Sequence, residues 1–391
     1  MRMGSSTMNK SLIFITLFSS LLISADSFED FKNQQNSNYT QYQNTLESEF
    51  KQYQKAHDDA FREFSKELDK KWPQQNGKAE VTTKNKFVEY SKDLNSKKIV
   101  NYEKKSISLE VIAKTEEEAK EKMQKMFDSL LKEDVKTAYK NDLLEEKIAT
   151  KLNTPQAEVK STEKIIADVI TTQEKDKMQN DLKKQDLIVV KHNENFIYKA
   201  NVSMPSDTTI RKAQTFKSDV LKNAQKQKIP AELIYAIMHS ESSFNPMARS
   251  HIPAYGLMQI VPKSAGIDSY QYLYNKKKVL SSSYLYNSSQ NIQIGSAYLH
   301  ILYYRYLKKI TDPQSRLYCA IAAYNTGAGN VAKTFTGNTN INKAAITINK
   351  MSADQVYKKL ISNLPYNETR SYLKKVNDRV SAYNTLLKTS I

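Results

Sequence analysis

The chain has 391 residues, a single cysteine, and 59 basic against 42 acidic side chains, for a formal net charge of +17. One cysteine excludes an intramolecular disulfide framework, and five histidines without ligand spacing, with no phosphate-loop or dinucleotide motif, leave no metal or cofactor to expect. The length suits two domains, and the basic excess lies wholly in one of them: residues 211–391 carry 25 Lys+Arg and 8 Asp+Glu, while residues 1–210 carry 34 of each.

Lys10, an apolar run from Leu12 to Ile23 and then Ser24-Ala25 form the pattern of a cleavable secretory signal over residues 1–25, with Met8 as an alternative start. The run is short for a membrane span, so an uncleaved anchor is the weaker alternative and the expected location is the periplasm. Phe28, Phe31, Tyr39, Tyr42, Leu46, Phe50, Tyr53, His57, Phe61, Phe64 and Leu68 recur at steps of three or four apart from one gap. Residues 28–71 therefore read as one amphipathic helix, ended by Pro73 and Gly77, its aromatic stripe serving as core or as a seam.

Phe87 to Tyr90, Ile99 to Tyr102 and Ser106 to Ala113 read as strands, and Thr115-Glu116-Glu117-Glu118 is a capping box that opens a helix to about Leu131. Lys132 to Lys184 is charge-rich and expected to be partly mobile. Two more strands, Leu187 to Lys191 and Phe196 to Val202, flank a turn at Asn193-Glu194-Asn195. This gives an α+β N-terminal domain over residues 26–206, with the boundary at Met204-Pro205-Ser206-Asp207, and a mainly helical domain over residues 207–391.

Pro230 suits the first position of a helix whose Leu233, Ile234, Ile237 and Met238 share one side. Glu241, four residues after Ile237, continues that buried side. A carboxyl held against apolar surface disfavours its charged form, so it keeps a proton near neutral pH and can donate it. The plain alternative is a helix-end Glu that reaches solvent. Asn245-Pro246 then breaks the helix, and Ala248, Ser250, Ala254 and Gly256 form a segment of small residues. Small side chains let backbone approach a ligand closely, while Ser250 and Gln259 offer a hydroxyl and an amide suited to a sugar.

Glu241-Ser-x-Phe-x-Pro-x-Ala-x-Ser250, followed by Ala254-x-Gly-Leu-Met258-Gln259-Ile260, resembles the signature of the soluble lytic transglycosylase domain, a relative of goose-type lysozyme. Ala323-Tyr324-Asn325-Thr326-Gly327-Ala328-Gly329 and Glu368-Thr369-Arg370-Ser371-Tyr372 resemble two further blocks of that family, in its order. The run Asn291-Ile292-x-x-Gly295-x-Ala297-Tyr298-Leu299 and the N-terminal Asp69-Lys70-Lys71-Trp72-Pro73 resemble its lytic murein transglycosylase C branch. The resemblance implies a mainly α, lysozyme-like fold for the second domain, peptidoglycan glycan strands as partner, and cleavage of the β-1,4 bond between N-acetylmuramic acid and N-acetylglucosamine to leave a 1,6-anhydro end. Members of that branch are lipoproteins anchored through a cysteine after the signal; this segment has none, so no clear lipid anchor is expected.

Between Glu241 and Glu368 the acidic residues are Asp268, Asp312 and Asp354, none in a motif block, so one Glu must serve twice. The family's chemistry accommodates this, with the sugar's N-acetyl group as internal nucleophile. By resemblance, Tyr324 would orient or stabilise Glu241 and the developing charge, Ser250 and Gln259 would hold the acetamido sugars, and Met258 would form an apolar wall, with Asn325 a further substrate-binding candidate. Glu368 and Tyr372 complete the candidate set, Tyr372 as a second candidate for the tyrosine role. Each residue has a structural counterpart reading: Tyr324 and Asn325 anchoring a turn, Gly327 and Gly329 marking helix ends, Met258 filling core, Tyr372 packing on a helix, Glu368 pairing with Arg370. A lysozyme-like hydrolase and a noncatalytic peptidoglycan-binding scaffold are the rival functions. The basic second domain suits the stem-peptide carboxylates of peptidoglycan, and no nucleic-acid motif is present.

Overall fold

The computed structural model describes residues 25–74 and 78–389. The expected export signal lies outside the described residues, as do the side chains of Phe28, Phe31, Tyr39, Tyr42 and Leu46 and the Gly77 stop. Helix α1 spans Ala25–Lys71. From Glu49 onward it belongs to one compact unit of residues 49–391, and there Phe50, Ala60, Phe64 and Leu68 are buried. This part of the aromatic stripe is core, as its three-and-four spacing predicts.

Strands β1 (Lys86–Tyr90), β2 (Ser96–Asn101) and β3 (Ser106–Ile112) follow. Then come α2 (Glu116–Leu130), α3 (Val135–Lys140), α4 (Leu143–Lys151) and α5 (Thr172–Lys184). Strands β4 (Ile188–His192) and β5 (Asn195–Ser203) complete an antiparallel sheet of order β1-β2-β3-β5-β4. Alternation along the strands sends Phe87 and Val100 to the main core and Val88 and Ile99 to a second cluster that holds Phe64, Leu68 and Trp72 of the α1 end. Thr115 caps α2 by accepting from the Glu118 amide, but the expected capping box is only half formed, since the Glu118 carboxylate accepts from the Lys114 amide at 3.2 Å and not from that of Thr115.

The expected mobility of residues 132–184 is not what the structure shows. Buried Leu144 and Ile148 in α4, and Met178 and Leu182 in α5, each stand four residues apart, and α5 carries its own capping box. Charged side chains fill the other faces and mask this narrow apolar stripe in the sequence.

Beyond β5 every element is helical. Helices α6 (Thr208–Thr215), α7 (Lys217–Gln227) and α8 (Ala231–Ser242) come first, then α9 (Ile267–Tyr274), α10 (Ser282–Leu285) and α11 (Ser288–His300). The chain ends in α12 (Pro313–Thr326), α13 (Ala328–Thr336), α14 (Ile341–Ile348), α15 (Ala353–Asn363) and α16 (Asn367–Thr389). An α+β part followed by a mainly helical part is the fold class expected. Helix α8 packs between α7 and α16, which buries its whole middle turn and places its C-terminal end beside the start of α16. The main core runs without interruption from Val202 and Met204 into Ala213, Phe216 and Val220. Among the described residues no helix is long and apolar enough to cross a membrane.

Candidate active site

Glu241 sits in the last turn of α8, which stops because Ser243 and Phe244 both take left-handed backbone conformations, with φ of 51° and 64°. The Ser242 hydroxyl holds this ending together: it accepts from the Phe244 amide at 3.1 Å and donates to the Leu257 carbonyl at 2.8 Å. Buried Asn245 accepts from the Met247 amide and donates at 3.3 Å to the carbonyls of both Thr83 and Lys84. The motif residues after Glu241 are therefore joints. They fold the chain back so that residues 254–260 run beside the helix end.

The returning segment is fixed by Gly256 and Asn291. Gly256 has φ of +73°, and a Cβ there would meet Asn291 Nδ2 at 2.4 Å and the Leu285 carbonyl at 2.5 Å, so only glycine fits. Asn291, fully buried in α11, donates to the Tyr255 and Leu285 carbonyls and accepts from the Met258 amide, each at 2.8 Å. Arg249 is also buried, and its guanidinium reaches Asp142 at 3.2 Å and Glu145 at 3.1 Å.

These elements enclose a cleft of about 620 Å³ lined by Lys84, Glu241, Ser250, Ile252, Ala254, Gln259, Val261, Tyr324, Asn325, Thr326, Asn330, Tyr366, Glu368 and Thr369. Glu241 lies at its base with 5% of its surface exposed. Burial raises its pKa above the ordinary carboxylate value, and nearby Glu368 adds to the rise; the Lys84 ammonium and the Tyr372 hydroxyl oppose it. The net direction is upward, so the protonated form is favoured.

Six of the eight residues singled out from sequence line this cleft: Glu241, Ser250, Gln259, Tyr324, Asn325 and Glu368. Gln259 adopts a left-handed φ of 47°, donates through Nε2 to the Gly256 carbonyl at 3.2 Å, and leaves its buried Oε1 without a partner among the described residues. A strained residue with an unpaired acceptor at a cleft wall is a ready receptor for a ligand N–H or O–H. Asn325 lines the same cleft and accepts from the Thr369 hydroxyl at 2.7 Å. The Ser250 hydroxyl is turned to the Ile252 carbonyl.

Tyr324 lies near Glu241, whose charge helps raise its phenol pKa after burial has done most of it. Its hydroxyl, however, donates at 2.8 Å to the Met258 carbonyl. Met258 and Tyr372 do not line the cleft. Met258 is fully buried with its side chain against Gly295, where a Cβ would meet its sulfur at 2.3 Å, so its side chain fills core and only its carbonyl serves the site. Tyr372 is buried behind Glu241, close enough to lower that carboxyl's pKa although its hydroxyl forms no hydrogen bond of standard geometry. Glu368 does not pair with Arg370, which donates instead to the Leu364 carbonyl at 2.6 Å.

Lys84 is what the sequence reading missed. Its ammonium lies 3.6 Å from Glu241 Oε2 and 3.6 Å from Glu368 Oε1. No local pattern marks one lysine in a lysine-rich stretch, and its partners stand more than 150 positions away. Exposed Ile252 and Tyr366 at the rim were missed for the same reason, since only the fold brings them together.

Residues 219–347 match the family model of the transglycosylase SLT domain. The chain is 41% identical over 187 residues to the membrane-bound lytic murein transglycosylase C of Sodalis glossinidius, covering 48% of this chain and 52% of that protein. The same-named protein of Salmonella arizonae is also 41% identical, with 48% and 51% covered. The chain thus spans about half the length of the curated relatives it matches. The solved lytic transglycosylase Slt of Pseudomonas aeruginosa is 24% identical, with 46% of this chain and 25% of that one covered and a TM-score of 0.36.

Proposed function

We propose, from the SLT-domain match over residues 219–347, that this chain is a peptidoglycan lytic transglycosylase with Glu241 as its proton donor. The relatives' names support the reaction class. The observation that carries the assignment to residues is one buried carboxyl, biased toward its protonated form, at the base of a cleft walled by amide and hydroxyl groups.

In the first half of the reaction Glu241 gives its proton to the glycosidic oxygen between N-acetylmuramic acid and N-acetylglucosamine. The C1–O bond breaks as the muramic acetamido oxygen bonds to C1. Glu241, now a carboxylate, then takes the proton of the same sugar's C6 hydroxyl; O6 closes on C1, the acetamido oxygen leaves, and the product is a 1,6-anhydro end with Glu241 protonated again. No water is consumed.

Gln259 Oε1 and Asn325 would position the acetamido groups, and Tyr324 would support the wall through the Met258 carbonyl. The other cleft carboxylate, Glu368, has a side chain 76% exposed, so its charge is solvated and it suits a held water-activating base poorly. That disfavours simple hydrolysis. In this reading residues 207–391 carry the chemistry, residues 26–206 support them, and the enzyme acts in the periplasm.

Digestion of purified sacculi by the wild type and by Glu241→Gln, with products weighed by mass spectrometry, tests this. Anhydro-muropeptides from the wild type alone are expected. Products heavier by one water would mean a hydrolase, and intact sacculi with both proteins would mean a binding module.

A further inference from the structure

The loop before β1 reaches into the cleft from the N-terminal side. Thr83 and Lys84 give their carbonyls to Asn245 Nδ2, and Thr83 also accepts from the Arg249 amide at 3.4 Å. On the other side Thr83 donates to the Lys86 carbonyl at 2.9 Å, and Asn85 accepts from the Tyr102 amide at 3.0 Å. The backbone of this lysine is thereby fixed to both the sheet and the turn after Glu241. Among the described residues lining the cleft, Lys84 is the one cation.

Building on the proposed reaction, we infer that Lys84 is a positioning residue of this active site, set between Glu241 and Glu368 to stabilise the Glu241 carboxylate in the interval between its two proton transfers. Each N–O distance is 3.6 Å, longer than a tight ion pair, so the ammonium is shared and not committed to either partner. While Glu241 is protonated, Lys84 and Glu368 balance each other. When Glu241 gives up its proton the cleft becomes net negative, matched to the positive charge that develops on the sugar, and Lys84 can lean toward the new carboxylate. Glu368 keeps the lysine from imposing a net positive charge on that sugar. The groups facing Glu241 are Lys84 from this loop, Tyr324 from α12, and Glu368 and Tyr372 from α16; burial keeps both phenols neutral. The two charged neighbours thus act on Glu241 in opposite directions.

The test measures anhydro-muropeptide release from sacculi against pH for the full chain, Lys84→Met, Lys84→Arg and Glu368→Gln, with melting curves for each. Lys84→Met is expected to move the alkaline limb up by about one pH unit and to lower the maximal rate about tenfold. Lys84→Arg should restore both. Glu368→Gln, an exposed change that leaves the fold intact, should move the limb down. Profiles of Lys84→Met and Glu368→Gln that superimpose on an active wild type overturn the role of Lys84 while leaving the reaction in place. Should Lys84→Met fail to fold, Lys84→Gln in the same assay decides, because an unmoved alkaline limb there overturns the role of Lys84. A wild type that releases no anhydro product instead removes the reaction on which the inference rests.

Discussion

The hydroxyl of Tyr324 donates to the backbone carbonyl of Met258 across 2.8 Å, tying α12 to the segment that carries Gln259. The tyrosine therefore acts on the wall of the cleft, and Glu241 feels it only as a neutral neighbour. Tyr324→Phe should strand the Met258 carbonyl and cost about 1–2 kcal/mol of stability. If the hydroxyl serves the wall, KM should rise more than kcat falls; steady-state kinetics on soluble glycan fragments, with urea unfolding alongside, check both.

As the proposed proton donor, Glu241 carries a cost in stability. Its folded pKa is raised, so the native state holds the proton more tightly than the unfolded chain does, and stability falls as pH rises from the ordinary carboxylate value through the raised one. Glu241→Gln removes this dependence. The variant should be inactive yet more stable than wild type at pH 8, with the two converging near pH 4. Thermal unfolding at the two pH values is the measurement, and equal differences at both would contradict the raised pKa.

Arg249 holds two carboxylates, the buried Glu145 and the partly exposed Asp142. Arg249→Met leaves both without their cation and should cost about 3–5 kcal/mol. Adding Glu145→Gln should recover part of the loss, because one of the stranded charges is then gone. Chemical denaturation of the single and double variants gives the coupling directly.

Gly256→Ala meets two obstacles at once, a left-handed φ of +73° and a Cβ 2.5 Å from the Leu285 carbonyl. A loss of about 3 kcal/mol or more is expected. Asn291→Leu, likewise branched at Cγ, removes three hydrogen bonds of 2.8 Å from the same bracket and should loosen the Met258–Gln259 segment as well. Both should lower the urea midpoint, and Asn291→Leu should also weaken glycan binding.

The helix bearing Glu241 was legible because burial follows from spacing: Ile234, Ile237 and Glu241 share one side whatever packs against it. The five strands were legible as short runs rich in β-branched, aliphatic and aromatic residues, with β4 and β5 joined at the turn read from Asn193-Glu194-Asn195. What stayed hidden depends on partners distant in sequence. Nothing near Lys84 announces Glu241, and nothing near Arg249 announces Asp142. The direction of the Tyr324 hydroxyl was likewise invisible, since a tyrosine close to a carboxyl can point to any acceptor within reach. Residues 132–184 misled for another reason: high charge density suggests disorder, but two apolar residues per helix suffice when a sheet face waits to receive them.

The turn after Glu241 takes its anchors from the N-terminal half, the carbonyls of Thr83 and Lys84 for Asn245 and the carboxylates of Asp142 and Glu145 for Arg249. A fragment begun at the strand-to-helix junction would inherit every signature residue and lose the brackets that aim them. The recognisable motif and the working unit thus have different borders, and anyone grafting this chemistry onto another scaffold must carry the borrowed ties along with it.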